Sequence, residues 1–123
     1  MKALRILVVE DDALVGILLG EMLEQMGYDV CAIEATEDDA VVGADKLRPD
    51  LMIVDAWLNE GNGISAVDKI EQNGPMPHIF VSGDIARVKA LRPDSVMVQK
   101  PFREDELAYA IERALGAGPS IPP

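Results

Sequence analysis

Apolar residues along the chain follow two alternating spacings, and this alternation predicts the order of its secondary structure. Short runs rich in valine, isoleucine and leucine are typical of buried strands, whereas apolar residues three and four positions apart are typical of helices. Runs of the first kind predict strands at residues 5–10, 29–34, 51–55, 78–82 and 95–99. Segments of the second kind predict helices at residues 14–26, 36–47, 64–72, 85–91 and 104–115.

Five strands that alternate with five helices predict a parallel sheet covered on both faces. Because crossovers between parallel strands are right-handed, the expected fold is a doubly wound α/β domain. Sites in such folds lie at the carboxyl ends of the strands, where the winding direction reverses. We expect one domain over residues 1–117, followed by a flexible proline-rich tail at residues 118–123.

The composition narrows the classes of function. The chain has 123 residues, 49% of them hydrophobic, and its 22 acidic and 11 basic residues give a formal net charge of −11. This charge disfavours nucleic-acid binding through a basic patch, so we expect no DNA partner. No apolar run approaches the roughly 18 residues of a membrane span, so we expect no membrane association. The single cysteine, Cys31, fits a small buried side chain in a reducing cytoplasm.

Polar side chains end four of the five predicted strands. They are Glu10, Asp11 and Asp12 at the end of the first strand, Asp55 in the third, Ser82 in the fourth and Lys100 after the fifth. The fold brings these ends to one rim, where clustered carboxylates repel each other unless a cation is bound. Carboxylates with waters suit Mg²⁺, while Lys100 and Ser82 offer donors to phosphate oxygens. A carboxylate in this setting can attack phosphorus. We interpret Asp12 differently, as the N-cap of the first helix.

At these positions the chain resembles the receiver family of bacterial response regulators. The likeness covers nearly all of residues 3–116 and rests on ILVVEDD, on DLMIVDAWL with Gly63 eight residues past Asp55, on IFVSGD and on VQKPF. It implies a flavodoxin-like sheet with strand order 2-1-3-4-5. It also implies a stand-alone cytoplasmic receiver that takes a phosphoryl group from a histidine kinase or a histidine phosphotransfer protein and signals to an unknown downstream protein.

The resemblance assigns a role to each residue of the rim. Asp55 is the implied phosphoacceptor, Lys100 the phosphate-binding lysine and Ser82 the switch hydroxyl. The implied ligands of Mg²⁺ or Mn²⁺ are Asp11, Asp55, the backbone carbonyl of Trp57 and, through water, Glu10. The bond between Lys100 and Pro101 is implied to be cis.

Some positions depart from the family. Met97 stands three residues before Lys100, where the family usually carries an aromatic residue that turns inward after phosphorylation. Trp57 and Asp84 occupy the two positions that tune dephosphorylation in the family. A short fourth helix is expected to remodel the usual output surface, so we expect a monomer or a weak dimer.

Two helices carry candidate partner surfaces. The predicted core stripe of the first helix consists of Val15, Leu18, Leu19, Met22 and Met26. Leu14 and Ile17 project from another face beside the site, and we hypothesise that they contact the phosphodonor. Tyr109 lies opposite the core stripe of the last helix, where it is expected to face solvent as part of an output surface.

Two other classes of function stay open. One is a phosphate-independent protein-binding module, against which the complete set of rim residues argues. The other is a phosphohydrolase of the haloacid dehalogenase type, which usually carries a second Asp where this chain has Trp57. We therefore expect that the chain is not an enzyme acting on a separate substrate. It is expected to catalyse only its own phosphorylation and dephosphorylation. The G-x-G-x-x-A pattern at residues 61–66 follows the third strand rather than the first, so we interpret it as loop geometry. His78 is interpreted as structural.

Overall fold

The computed structural model describes residues 3–116, and the expected tail at residues 118–123 lies outside them. The strands are β1 (Arg5–Val9), β2 (Asp29–Glu34), β3 (Leu51–Asp55), β4 (His78–Ser82) and β5 (Val96–Gln99). The helices are α1 (Ala13–Gln25), α2 (Glu37–Leu47), α3 (Gly63–Glu71), α4 (Ile85–Leu91) and α5 (Glu104–Ala114). The order of elements is as predicted, and each predicted boundary lies within one residue of the observed one.

The five strands form one parallel sheet in the order β2-β1-β3-β4-β5. This is the doubly wound, flavodoxin-like topology that the sequence and the resemblance predicted. The chain reverses its winding direction between β1 and β3, which are hydrogen-bonded neighbours. The crevice of the fold therefore opens at the carboxyl ends of these two strands.

Two apolar layers enclose the sheet. Helices α2, α3 and α4 pack on one face together with Leu7 and Val9 of β1. Helices α1 and α5 pack on the other face together with Ile6 and Val8. Since successive residues of a strand point to opposite faces, both sets are buried, which explains why β1 is apolar without interruption. Because helices cover both faces of the sheet, the strands are held in place, and so are their carboxyl ends, which carry the site.

The buried face of α1 differs from the predicted stripe. Leu19 is buried, but Val15 and Leu18 are 37% and 54% exposed, and Leu23 is fully buried instead. Residues 13–19 are apolar on every side of the helix, so periodicity alone could not select a face. The sheet selects the side with Gly16, where an added Cβ would lie 3.1 Å from a side-chain carbon of Ile33. The predicted stripe was therefore wrong for Val15 and Leu18.

Candidate functional site

Three carboxylates meet at the carboxyl ends of β1 and β3. Glu10 and Asp11 directly follow β1, and Asp55 is the last residue of β3. One oxygen atom of each lies within 4.8 Å of the others. Glu10 is buried, and Asp11 and Asp55 are partly buried. These are the acids that the sequence predicted to meet, and their arrangement could hold a metal ion.

Lys100 reaches this cluster from the end of β5. Its ammonium donates to Glu10 Oε1 at 3.0 Å and to Asp55 Oδ2 at 3.1 Å. Burial acts to lower the pKa of Lys100, but the bonds to the two carboxylates outweigh it and raise the pKa. Burial raises the pKa of Glu10, while its bond to Lys100 opposes that rise. Three carboxylates against one ammonium leave two excess negative charges when all four groups are ionised.

The loop after β3 orients two of the acids through its backbone. The Trp57 N–H donates to Asp55 Oδ1 at 3.1 Å, and the Asn59 N–H donates to Asp11 Oδ2 at 2.7 Å. Gly63 begins α3 directly against β3, and this close approach leaves no room for a side chain, since an added Cβ would lie 2.1 Å from the Asp55 carbonyl oxygen. The Asp55 carboxylate is thus held from both sides, by Lys100 at one oxygen and by the loop at the other.

Ser82 links the rim to α4. Its side chain is buried, and its hydroxyl oxygen accepts from the Asp84 N–H at 2.9 Å. The Asp84 carboxylate caps α4 by accepting from the Arg87 N–H at 3.2 Å. The neighbouring bond between Lys100 and Pro101 is cis, as the resemblance implied. In this state Asp84 therefore serves as a helix cap.

Trp57 carries a contact that the sequence did not reveal. The Arg87 guanidinium carbon lies 4.1 Å from the centroid of the indole ring, which is a cation–π geometry. The indole N–H is buried and has no hydrogen-bond partner within residues 3–116. Because the stack joins a loop to a helix 30 positions further along the chain, periodicity gives no signal of it.

Glu37, at the start of α2, is the second residue that the sequence analysis missed. Its side chain accepts from the Asn62 N–H at 2.9 Å, from the Ser65 hydroxyl at 2.7 Å and from the Lys69 ammonium at 2.7 Å. These bonds, led by the one to Lys69, lower its pKa to about 2. Gly61 passes beside it at φ +81°, where an added Cβ would lie 2.4 Å from the Glu37 Cβ. Glu37 therefore anchors the second half of the loop that begins at Asp55.

The remaining predicted positions are not members of the acid cluster. Leu14 and Ile17 are 65% and 52% exposed on α1, and Tyr109 is 53% exposed on α5, as predicted. Met97 is partly buried against the core layer of α2, α3 and α4. His78 bonds to the Met76 carbonyl oxygen and to the Ser95 hydroxyl, which agrees with a structural role.

Three smaller predictions concern local packing. Asp12 caps α1 as predicted, since its Oδ1 accepts from the Val15 N–H at 3.0 Å. Asn62 caps α3 and Gly61 has a positive φ, which agrees with loop geometry for the glycine-rich pattern. Cys31 is only partly buried, because β2 lies at the edge of the sheet.

No helix between residues 3 and 116 has both the length and the apolar character of a membrane span.

Comparisons with known proteins agree with this geometry. The family model of the response regulator receiver domain matches residues 6–112. The phyllosphere-induced regulator PhyR of Methylorubrum extorquens is 29% identical over 117 residues, which are 92% of this chain and 44% of that protein. The transcriptional regulatory protein PdtaR of Mycobacterium tuberculosis is 32% identical over 115 residues, which are 90% of this chain and 56% of that protein.

A solved structure matches over the whole chain. The solution structure of the receiver domain of PhyR from Erythrobacter litoralis has a TM-score of 0.85 at 27% identity, and the match covers 100% of this chain and 98% of that one. By contrast, this chain spans about half the length of the curated relatives PhyR and PdtaR.

Proposed function

The chain belongs to the response regulator receiver family of two-component systems, and on that premise we propose that it accepts a phosphoryl group from a phosphohistidine onto Asp55. In this step a carboxylate oxygen of Asp55 forms a bond to phosphorus. The bond between phosphorus and the donor imidazole nitrogen breaks, and its electron pair stays on that nitrogen. Phosphoryl transfer depends mainly on positioning and on charge stabilisation.

The observation that carries this proposal is the bond from Lys100 to Asp55. An ammonium 3.1 Å from the acceptor carboxylate is a fixed positive charge at the place where phosphoryl oxygens would arrive. The second bond of Lys100, to the buried Glu10, holds the ammonium there before any phosphate is present. Ser82 supplies a hydroxyl on the neighbouring strand, and this hydroxyl can turn from the Asp84 N–H to a phosphoryl oxygen.

The donor set of the rim fits Mg²⁺ or Mn²⁺. We propose that Asp11, Asp55 and the Trp57 carbonyl hold the ion and that Glu10 reaches it through water. The fit rests on hard oxygen donors and on the two excess negative charges, which favour a divalent cation. When bound, such an ion neutralises charge on phosphoryl oxygens. Among the residues of this chain, Lys100 supplies the remaining positive charge and the backbone of Trp57 orients Asp55.

We propose that the phosphodonor is a histidine kinase or a histidine phosphotransfer protein that docks on α1. The first two turns of α1 expose Leu14, Val15, Ile17 and Leu18, and this apolar patch begins three residues after Asp11. Contiguous exposed apolar residues are typical of partner surfaces. A donor helix that binds this patch would bring its histidine to the rim. Because we propose that the donor acts in the cytoplasm, we also propose a cytoplasmic location for this chain.

The docking proposal is tested with Ile17→Glu and with the control Val42→Glu, since Val42 is an equally exposed apolar residue on α2. We expect Ile17→Glu to slow phosphotransfer from the donor protein but to leave phosphorylation by acetyl phosphate unchanged. Val42→Glu should affect neither rate. Unchanged transfer to folded Ile17→Glu would refute docking on α1.

The single tryptophan gives a direct test of the proposed site. We expect Mg²⁺ to change the fluorescence of Trp57 and beryllofluoride, a phosphoryl mimic, to change it again. In Asp55→Asn the second response should be lost. Absence of both responses in the wild type would favour the alternative, a phosphate-independent protein-binding module with a receiver fold.

A further inference from the structure

Arg87 lies in the first turn of α4, and its guanidinium stacks on Trp57. We propose that it is a positioning residue that couples the phosphorylation site to α4 through its stack on Trp57. This inference rests on the proposed function, because the signal that it transmits is the phosphorylation of Asp55. It concerns how the state of the site reaches another surface of the domain.

The first observation is that two hydrogen bonds leave the rim toward different elements. The Trp57 N–H donates to Asp55 Oδ1 at 3.1 Å, which ties the loop after β3 to the acceptor carboxylate. The Asp84 N–H donates to the Ser82 hydroxyl at 2.9 Å, which ties the N-cap of α4 to the switch hydroxyl. Both acceptors are groups that would contact the phosphoryl group, so one chemical event acts on both bonds.

The second observation is that Arg87 joins these two branches. Its backbone N–H donates to Asp84 Oδ1 at 3.2 Å, and the guanidinium carbon of its side chain lies 4.1 Å from the centroid of the Trp57 ring. Asp55, Trp57, Arg87, Asp84 and Ser82 therefore form a continuous circuit of contacts that begins and ends at the rim.

The third observation concerns the charge of Arg87. The chain carries a net charge of −11, yet within residues 3–116 no carboxylate oxygen lies within 4.0 Å of the Arg87 guanidinium. By comparison, Arg92, the C-cap residue of α4, pairs with Asp68 and Glu71. Within the described residues, the Arg87 guanidinium thus contacts the face of Trp57 and forms no ion pair.

The aromatic residue of this circuit has a particular position. Where the family usually has an aromatic side chain on β5, this chain has Met97, and both Met97 and Trp57 pack against the same core layer. The buried indole N–H of Trp57 has no partner among the described residues, and an unsatisfied buried donor disfavours the state that contains it. Trp57 therefore connects the loop after β3 to the core layer of α2, α3 and α4.

The circuit predicts how phosphorylation reaches α4. When the Ser82 side chain rotates so that its hydroxyl donates to a phosphoryl oxygen, its oxygen leaves the Asp84 N–H, and the first turn of α4 is released. When the Asp55 carboxylate is phosphorylated to an acyl phosphate, the Trp57 N–H loses part of its acceptor charge. The Arg87 stack makes the two changes depend on each other, and such coupling is reciprocal in free energy.

The test uses Mg²⁺ with beryllofluoride and measures amide hydrogen exchange of α4 together with Trp57 fluorescence. In the wild type we expect the ligand to change exchange at residues 84–91. In Arg87→Met this change should be largely lost although the ligand still binds, and Arg87→Lys, which keeps a cation over the ring, should restore it. Arg113→Met is the control, because Arg113 lies over an aromatic ring on another helix, with its guanidinium carbon 5.9 Å from the centroid of Tyr109 on α5.

Each outcome has one meaning. If folded Arg87→Met shows the same ligand-induced change at α4 as the wild type, the coupling role of Arg87 is wrong. If Arg113→Met loses the change as well, the effect is not specific to the circuit, and the proposal also fails. If the wild type binds no beryllofluoride at Asp55, the proposed function fails instead, and this outcome is visible separately in the titration.

Discussion

Glu37 should contribute a pH-dependent part of the stability of the domain. Its carboxylate accepts three bonds, from Asn62, Ser65 and Lys69, and its side chain is only 12% exposed. Glu37→Gln keeps the shape of the side chain and one amide oxygen for the Asn62 N–H. It removes the negative charge and with it the pair with Lys69. The variant therefore isolates the charge from the packing.

The magnitude follows from the pKa of Glu37, which falls from 4.5 to about 2, with the bond to Lys69 as the largest cause. The full difference corresponds to about 3 kcal/mol of stability at neutral pH. Lys69 is 50% exposed, so solvent screens the pair. We therefore expect Glu37→Gln to lower the free energy of unfolding by about 1–2 kcal/mol at pH 7.

The sign of the pH dependence is fixed by the direction of this pKa. A carboxyl group with a lowered pKa in the folded state stabilises the protein above its ordinary pKa, and this contribution is lost as the pH falls toward the folded pKa. The difference in unfolding free energy between wild type and Glu37→Gln should thus be constant above about pH 5 and shrink between about pH 4.5 and 2.

Urea denaturation at a series of pH values measures this difference. Asp38→Asn is the matched control, because it removes one negative charge from the exposed neighbour of Glu37 on α2 and leaves the three bonds of Glu37 in place. If Glu37→Gln has the stability of the wild type at pH 7, the anchor contributes nothing. If its destabilisation is the same at pH 7 and at about pH 2.5, where most of the charge contribution should be gone, the contribution comes from packing, and the electrostatic explanation is refuted.

Two further substitutions test the fold around the site. Leu23 is fully buried, so Leu23→Ala should lower the free energy of unfolding by about 2–5 kcal/mol. Leu18 is 54% exposed, so Leu18→Ala should change it by less than about 1 kcal/mol. Similar values for the two variants in urea denaturation would contradict the observed face of α1. Gly63→Ala should lower the thermal midpoint strongly, because the new Cβ would lie 2.1 Å from the Asp55 carbonyl oxygen. Gly83→Ala should have little effect on the thermal midpoint, because no heavy atom lies within 4 Å of the added Cβ.

The sequence was sufficient to predict the elements and the rim for a physical reason. Strands buried on both faces are uninterrupted apolar runs, and their ends are marked by a change to polar residues such as Asp55 and Ser82. In a parallel sheet these ends share one edge, so acids that are distant in sequence are expected to meet. The meeting of Glu10, Asp11 and Asp55 follows from topology rather than from any local feature.

The parts that were not predicted depend on side-chain geometry between distant residues. The bonds from Asn62 and Ser65 to Glu37 span 25 and 28 positions, and nothing in the local pattern marks Glu37 among the acids of its helix. The face of α1 was mistaken because its first two turns are apolar on every side, so that close approach at Gly16, rather than hydrophobicity, decides what is buried.

The most direct measurement is the mass of the protein after incubation with acetyl phosphate and Mg²⁺. We predict one added phosphoryl group that is released by hydroxylamine and maps to Asp55. It should be absent from Asp55→Asn and present in Asp45→Asn, a control at an exposed aspartate of α2. An unmodified wild-type protein, or the same modification in Asp55→Asn, would contradict the assignment of Asp55 as the phosphoacceptor.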